Sequence, residues 1–271
     1  MTMKEKLVSF SRDRKALLAV NFYNFETLKG LLLAAKATNS SLILQLSESS
    51  LHYLGIETAI ALARAMLKEF NVEGWVHLDH GCSIDVIQKC LDAGFDSVMI
   101  DASEKPFDEN VRVTKEAVKI AASYNANVEA ELGYIAKLNQ SQTIEPTSAE
   151  DAKHFVEATG INALAVAIGN AHGFYKETPK LRLDRLKEIR AVTNCALVLH
   201  GSSGIPADQL QEAIRCGISK INLATETKNA FMKKLQALLA DNDEIDLRKI
   251  FPKAIEEVQE LITKKLNVIN S

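Results

Sequence analysis

Apolar positions along the chain alternate between two periods. Short runs rich in Val, Ile, Leu and Ala recur between longer segments whose apolar residues repeat every three to four positions. The short runs predict strands at Ala16–Val20, Leu42–Leu46, Trp75–Leu78, Ser97–Ile100, Asn127–Ala130, Ala163–Ala167, Ala196–Leu199 and Ser219–Ile221. The longer segments predict helices at Phe25–Ala37, Ile56–Phe70, Ile84–Ala93, Glu109–Ser123, Ala149–Thr159, Leu183–Val192, Ala207–Cys216 and Glu226–Leu239. Met1 to Phe10 reads as a charged amphipathic helix, and a last helix over Lys253–Lys265 lies beyond the eighth strand. Gly94, Gly160 and Gly217 stand where helix C-caps belong, each shortly before a strand.

Eight such units in 271 residues predict one α/β domain over 1–271, a closed parallel (β/α)8 barrel with an additional C-terminal helix. The rival, an open doubly wound sheet, lacks a glycine-rich dinucleotide turn after its first strand. No linker or low-complexity tract divides the chain. The connection Gly133 to Thr147 is long, polar and aperiodic, and predicts a mobile lid at 133–147.

Composition narrows the function. At 47% hydrophobic and 25% charged residues the chain has the make-up of a globular enzyme. A formal net charge of −3 offers no general attraction for nucleic acid or an anionic membrane, so an anionic ligand needs a local site. No apolar run approaches the roughly 20 residues that span a bilayer, and the N-terminal segment lacks a secretory apolar core. Cys82, Cys90, Cys195 and Cys216 are scattered without CxxC spacing, which points to a reducing cytoplasm.

A barrel of this class builds its site at the carboxyl ends of its strands. Those ends carry Asn21, Asn24, Ser47, Asp79, His80, Asp101, Glu129, Glu131, His172, His200 and Asn222. Three histidines at one face (His80, His172 and His200) can hold a divalent metal and leave a coordination position open for substrate. His52, His77 and His154 read as ordinary histidines, and Cys82 is a soft competitor for the metal or a small residue opening a helix. Asp79 adjoins a ligand without needing to be one, so it is free to move protons. Glu129 and Glu131 share a face toward the barrel axis, where buried acids must be paired or metal-bound; Lys220 is the candidate partner. Gly201-Ser202-Ser203-Gly204 and Asn222-Leu223-Ala224-Thr225 follow strands seven and eight and open helices. Backbone N–H groups there suit a phosphate.

The stretches "LQLSE", "HLDHG", "SVMIDAS", "VEAELG", "GNAHGFYK", "LVLHGSSG", "KINLATETK" and "LRK" resemble the class II (zinc-dependent) ketose-bisphosphate aldolases over essentially the whole chain. The length is similar to the compact fructose-bisphosphate and tagatose-bisphosphate branch. The resemblance implies reversible aldol cleavage of a fructose- or tagatose-type ketose 1,6-bisphosphate to dihydroxyacetone phosphate and an aldehyde. It implies zinc on His80, His172 and His200, with Asp79 as proton donor and acceptor. Asp101 and Glu131 match positions for a second divalent or monovalent cation. Gly173, Gly201, Ser203, Asn222 and Thr225 match those that hold dihydroxyacetone phosphate, and Ser47 and Arg248 match those for a distal phosphate. Homodimers or homotetramers are also implied. The chain departs from the family at "ELGYIAKLNQSQ", where Ala136-Lys137 replaces a glycine pair and Asn139 stands near the lid acid, with Glu145 the remaining acid there. Glu104 stands where many compact members have histidine. The alternatives are an aldolase for another phosphorylated ketose, a lysine Schiff-base enzyme using Lys220, and a phosphosugar-binding barrel without turnover.

Overall fold

Side chains along a strand point alternately to its two faces, and here that alternation separates two cores. In the computed structural model, which describes residues 1–133, 135 and 146–271, eight parallel strands close a barrel in sequence order. They are β1 (Leu17–Asn21), β2 (Leu42–Ser47), β3 (Gly74–Gly81), β4 (Ser97–Ile100), β5 (Asn127–Leu132), β6 (Ala163–Val166), β7 (Ala196–Leu199) and β8 (Ile218–Leu223). The eight predicted strands agree with these to within a few residues at either end.

Outward positions such as Leu18, Val20, Leu44, Val76, Val98, Leu164 and Leu197 join the large core beneath the helices. Inward positions form a smaller core of Leu17, Ala19, Ile43, Trp75, Ala163, Ala165, Ala196 and Val198. Small residues on β6 and β7 leave room there for the helix α1 (Met3–Arg12), whose Met3 and Leu7 close the amino-terminal end of the barrel. Thr2 and Glu5 form a capping box that fixes where α1 starts. Toward the other end the inward residues turn polar: Asn21, Gln45, Asp79, Glu129, Glu131 and Asn222 are all buried. A barrel built this way keeps hydrocarbon at its base and ionisable groups at its mouth.

The outer layer comprises α2 (Phe25–Ala37), α3 (Glu48–Leu54), α4 (Ile56–Phe70), α5 (Ile84–Asp92), α6 (Phe107–Ala122), α7 (Ala149–Thr159), α8 (Leu183–Val192), α9 (Ala207–Arg215), α10 (Thr225–Leu239) and α11 (Leu247–Asn270). Gly160 caps α7 in the left-handed conformation, φ 71°. Two differences from expectation have physical causes. Helix α3 is too short to show a period; Ser47 starts it by accepting from the Ser50 N–H. Helix α11 begins before Pro252 rather than after it: Asp246 caps its first turn, and the helix runs through Pro252 at the loss of one N–H donor. Its buried stripe of Ile255, Val258, Ile262 and Leu266 packs against α2.

Leu7 is 1% exposed and lies at the barrel end opposite the ionisable groups. Leu7→Ala should cost about 2–5 kcal/mol of stability in chemical denaturation. Ligand binding at the mouth, measured well below the unfolding midpoint, should be unchanged.

Candidate active site at the mouth of the barrel

Asp79 and His80 are consecutive, and a regular strand would turn them to opposite faces. Strand β3 avoids this with a bulge. His77 pairs with Ser97 and Leu78 with Val98, but Gly81 pairs with Ile100, so Asp79 and His80 together oppose Met99. His80 takes φ 53°, a left-handed conformation uncommon for a side-chain-bearing residue. The irregularity lets both side chains line one cleft. Sequence periodicity gave no sign of it.

His80, Glu131, His172 and His200 each offer one ligand atom, all within 4.8 Å of one another. The rings pack edge to face, with centroids 5.1 Å apart for His80–His172, 4.8 Å for His80–His200 and 5.7 Å for His172–His200. His80 Nδ1 donates to Asp101 Oδ2 at 2.6 Å, which leaves Nε2 to face inward. His200 Nε2 lies 2.8 Å from Glu129 Oε1, and its Nδ1 lies 3.1 Å from His80 Nε2. Two lone pairs at that separation repel unless a proton or a cation sits between them. Glu131 Oε2, buried and without a hydrogen bond among the described residues, lies 3.7 Å from His200 Nδ1. Three imidazoles and a carboxylate around one point fit a divalent metal such as zinc.

Electrostatics say where the proton resides without that cation. Burial disfavours a charged His80, but the Asp79 charge, the Asp101 hydrogen bond and the Glu131 charge outweigh it and raise it to about 9. Burial, aided by the positive charges of His80 and Lys220, holds His200 well below the ordinary histidine value. His80 therefore donates and His200 accepts. Burial and the Asp101 charge push Glu131 up to about 8. Asp79 is buried, which would raise it, yet His80, His200, Lys220 and the Asn21 amide together hold it below the usual carboxylate value. Its oxygens accept from Asn21 Nδ2 at 2.9 Å and Asn222 Nδ2 at 3.3 Å. Gln45 Nε2 donates to Asn21 Oδ1 at 3.1 Å and fixes that amide in turn.

The loops after β6 and β7 are tied together. Asn170 Nδ2 donates to the His200 carbonyl at 3.1 Å, and the Tyr175 hydroxyl accepts from Ala171 N (2.7 Å) and donates to the Gly201 carbonyl (2.9 Å). Gly201 has φ 63°, and a Cβ there would lie 2.1 Å from the Ala171 carbonyl oxygen. Only glycine permits that approach. Gly173, Gly201, Ser203, Ala224 and Thr225 line the cleft with His80 and His172. Ala224 caps α10 without a side-chain acceptor, so the positive end of that helix borders the cleft.

The other expected site residues lie at or beyond its edge. Ser202 and Leu223 are buried, and Ser202 Oγ donates to the Asn222 carbonyl, so these two shape the loops from behind. Asp101 gives both oxygens to His80 and Ser103 and so orients the His80 ring, whereas Glu131 sits with the histidines. Ser47 caps α3. Arg248 is outside the cleft, in the exposed first turn of α11, paired with the capping Asp246 and 89% exposed. Cys82 precedes the helix it was expected to open, and its thiol turns to Glu48. Lys220 is fully buried 2.8 Å from Glu129 and does not line the cleft, which argues against a Schiff base. Ala136, Lys137, Asn139 and Glu145, and with them most of the predicted lid, lie outside the described residues. Gln45, Asn170 and Tyr175 were not anticipated; their only sequence signal is adjacency to strand ends and to His172.

A family model described as fructose-bisphosphate aldolase class-II matches residues 1–271. The chain is 38% identical over 278 residues to a fructose-bisphosphate aldolase of Geobacillus stearothermophilus, covering 100% of this chain and 97% of that protein. It is similar to the crystal structure of the YdjI aldolase from Escherichia coli K12, with TM-score 0.88 and 30% identity over 99% of this chain and 96% of that one. A putative fructose-1,6-bisphosphate aldolase from Coccidioides immitis superposes with TM-score 0.90 at 26% identity, again over 99% and 96% of the two chains.

Cation binding at these residues must displace the protons on His80 and Glu131. Zinc affinity of the metal-free protein should therefore fall as pH drops from 8 to 6, by about ten- to hundredfold per unit for one to two protons. Calorimetry in buffers of different ionisation enthalpy should register proton release. An affinity independent of pH over that range would contradict the assignment.

Proposed function

The chain belongs to the class-II fructose-bisphosphate aldolase family, and on that premise we propose that it is a metal-dependent lyase cleaving a ketose 1,6-bisphosphate reversibly to dihydroxyacetone phosphate and an aldehyde. The observation that carries this reading is the convergence of His80, His172 and the buried His200 at a cleft that His80 and His172 line together with a hydrogen-bonded, ionised Asp79. A divalent cation held by the three histidines, with Glu131 within reach, supplies Lewis acidity toward the substrate carbonyl. Asp79 takes the proton from the hydroxyl next to the breaking carbon–carbon bond and returns it in condensation. Asn21 and Asn222 keep its two oxygens aimed. The phosphate nearest the carbonyl rests on Gly173, Gly201, Ser203 and the start of α10 at Thr225, where N–H groups and the helix dipole favour an anion. Ser47, opposite Asp79 in the β2–β3 register, is the nearer candidate for a distal phosphate.

The names of the Geobacillus and Coccidioides relatives favour the fructose sugar. A cytoplasmic homo-oligomer is part of the same reading. It is supported by apolar side chains exposed at Met232, Leu239, Ile245 and Leu247 around the α10–α11 connection. Among the described residues no helix is long and apolar enough to cross a membrane.

The zinc-loaded protein should release triose phosphate from at least one member of a panel of fructose, tagatose and related ketose bisphosphates, read in a coupled assay. Release from none of them would end the proposal. Asp79→Asn should keep metal and phosphate binding while losing turnover by about 10²–10⁴-fold. A variant within a few-fold of wild type would move the proton transfer elsewhere.

A further inference from the structure

Beneath the three histidines lies a layer of buried polar groups that the reaction does not touch. Glu129, His77, Ser97, Lys220 and Asn127 are each no more than 1% exposed. Burying such groups is unfavourable unless each finds a partner, and here most do. Lys220 Nζ lies 2.8 Å from Glu129 Oε2 and 3.4 Å from His77 Nε2. His77 Nδ1 lies 2.7 Å from Ser97 Oγ, which also accepts from Asn127 Nδ2 at 3.0 Å. The chain of contacts runs across the barrel from β8 through β5 and β3 to β4. It reaches the metal position through one contact, Glu129 Oε1 to His200 Nε2 at 2.8 Å.

We propose that Glu129 is a positioning residue that holds His200 in the tautomer with its proton on Nε2 and its lone pair on Nδ1, and that Lys220 holds Glu129. This rests on the metal-centre reading above. A carboxylate oxygen only accepts, so the hydrogen at this contact belongs to His200 Nε2. Asn222 Nδ2 lies 3.1 Å from the same nitrogen, but it has Asp79 Oδ1 as its acceptor. His200 Nδ1 is then the nitrogen facing His80 Nε2 and Glu131. At His80 the arrangement is reversed, with Nδ1 on Asp101 and Nε2 inward. The centre is therefore asymmetric: His80 ligates through Nε2 and His200 through Nδ1, each set by its own carboxylate. Lys220 pairs by charge with the second oxygen, Oε2, which makes no hydrogen bond among the described residues, and leaves the first for His200.

Long-range ¹⁵N–¹H correlation on histidine-labelled, zinc-loaded wild type reads the tautomer directly. It should show the His200 proton on Nε2 and the metal on Nδ1. In chelator competition Glu129→Leu should weaken zinc binding about 10–100-fold. Glu129→Gln keeps an acceptor for Nε2–H and should recover most of that loss, with thermal unfolding of the metal-free variants as the check on folding. Zinc bound through His200 Nε2, or Leu and Gln variants weakened equally, would overturn the positioning role alone. A wild type that binds no zinc would overturn the metal-centre reading and this role with it. Should Glu129→Leu fail to fold, the wild-type spectrum still decides.

Discussion

Two imidazole nitrogens, His80 Nε2 and His200 Nδ1, face each other across 3.1 Å at the mouth of the barrel, where His200 is fully buried. Without a cation, one of them must hold a proton, and the surroundings assign it to His80. With a cation, both become donors, and the proton leaves. The neighbouring acids serve one of these two conditions. Asp101 and Glu129 orient the rings, Glu131 has an oxygen without a hydrogen bond among the described residues, and Asp79 stays ionised beside them. A cluster of this charge density tolerates burial because His80 and His200 are each matched by a carboxylate.

The barrel makes that matching possible by geometry. Parallel strands deliver their inward side chains in layers, and the layers grade from alanine and leucine at the base to acids and histidines at the mouth. The middle layer, with Lys220 against Glu129, is the transition between them. It gives the histidine layer a floor that is polar and fully buried. Two departures from regular geometry lie above it: the bulge that turns His80 inward and the glycine contact that lets the loops after β6 and β7 touch. Strain of this kind persists where surrounding structure over-determines it.

Much of this was legible in the sequence, for identifiable reasons. Strand alternation and the helical period are local signals, so the eight units and their order could be read directly. Asp79, His80, His172, His200 and the two glycine- and asparagine-led loops stand at strand ends, where a barrel puts its chemistry. Contacts between distant strands left no local trace. The inward turn of His80 depends on β4, the role of Glu129 on β7 and β8, and the position of Arg248 on where α11 begins. Sequence parity did suggest Lys220 as partner to a buried acid, and it is Glu129, not Glu131, that takes it. The short helix α3 carried too few residues to show a period.

The account turns on three imidazoles meeting at one cation. X-ray absorption at the zinc edge of the loaded protein tests this most directly, since imidazole rings leave a distinct multiple-scattering pattern. The expected first shell is nitrogen and oxygen with three imidazoles, reduced to two in His172→Ala while the protein stays folded. A shell without imidazole scattering, or one unchanged by His172→Ala, would contradict it.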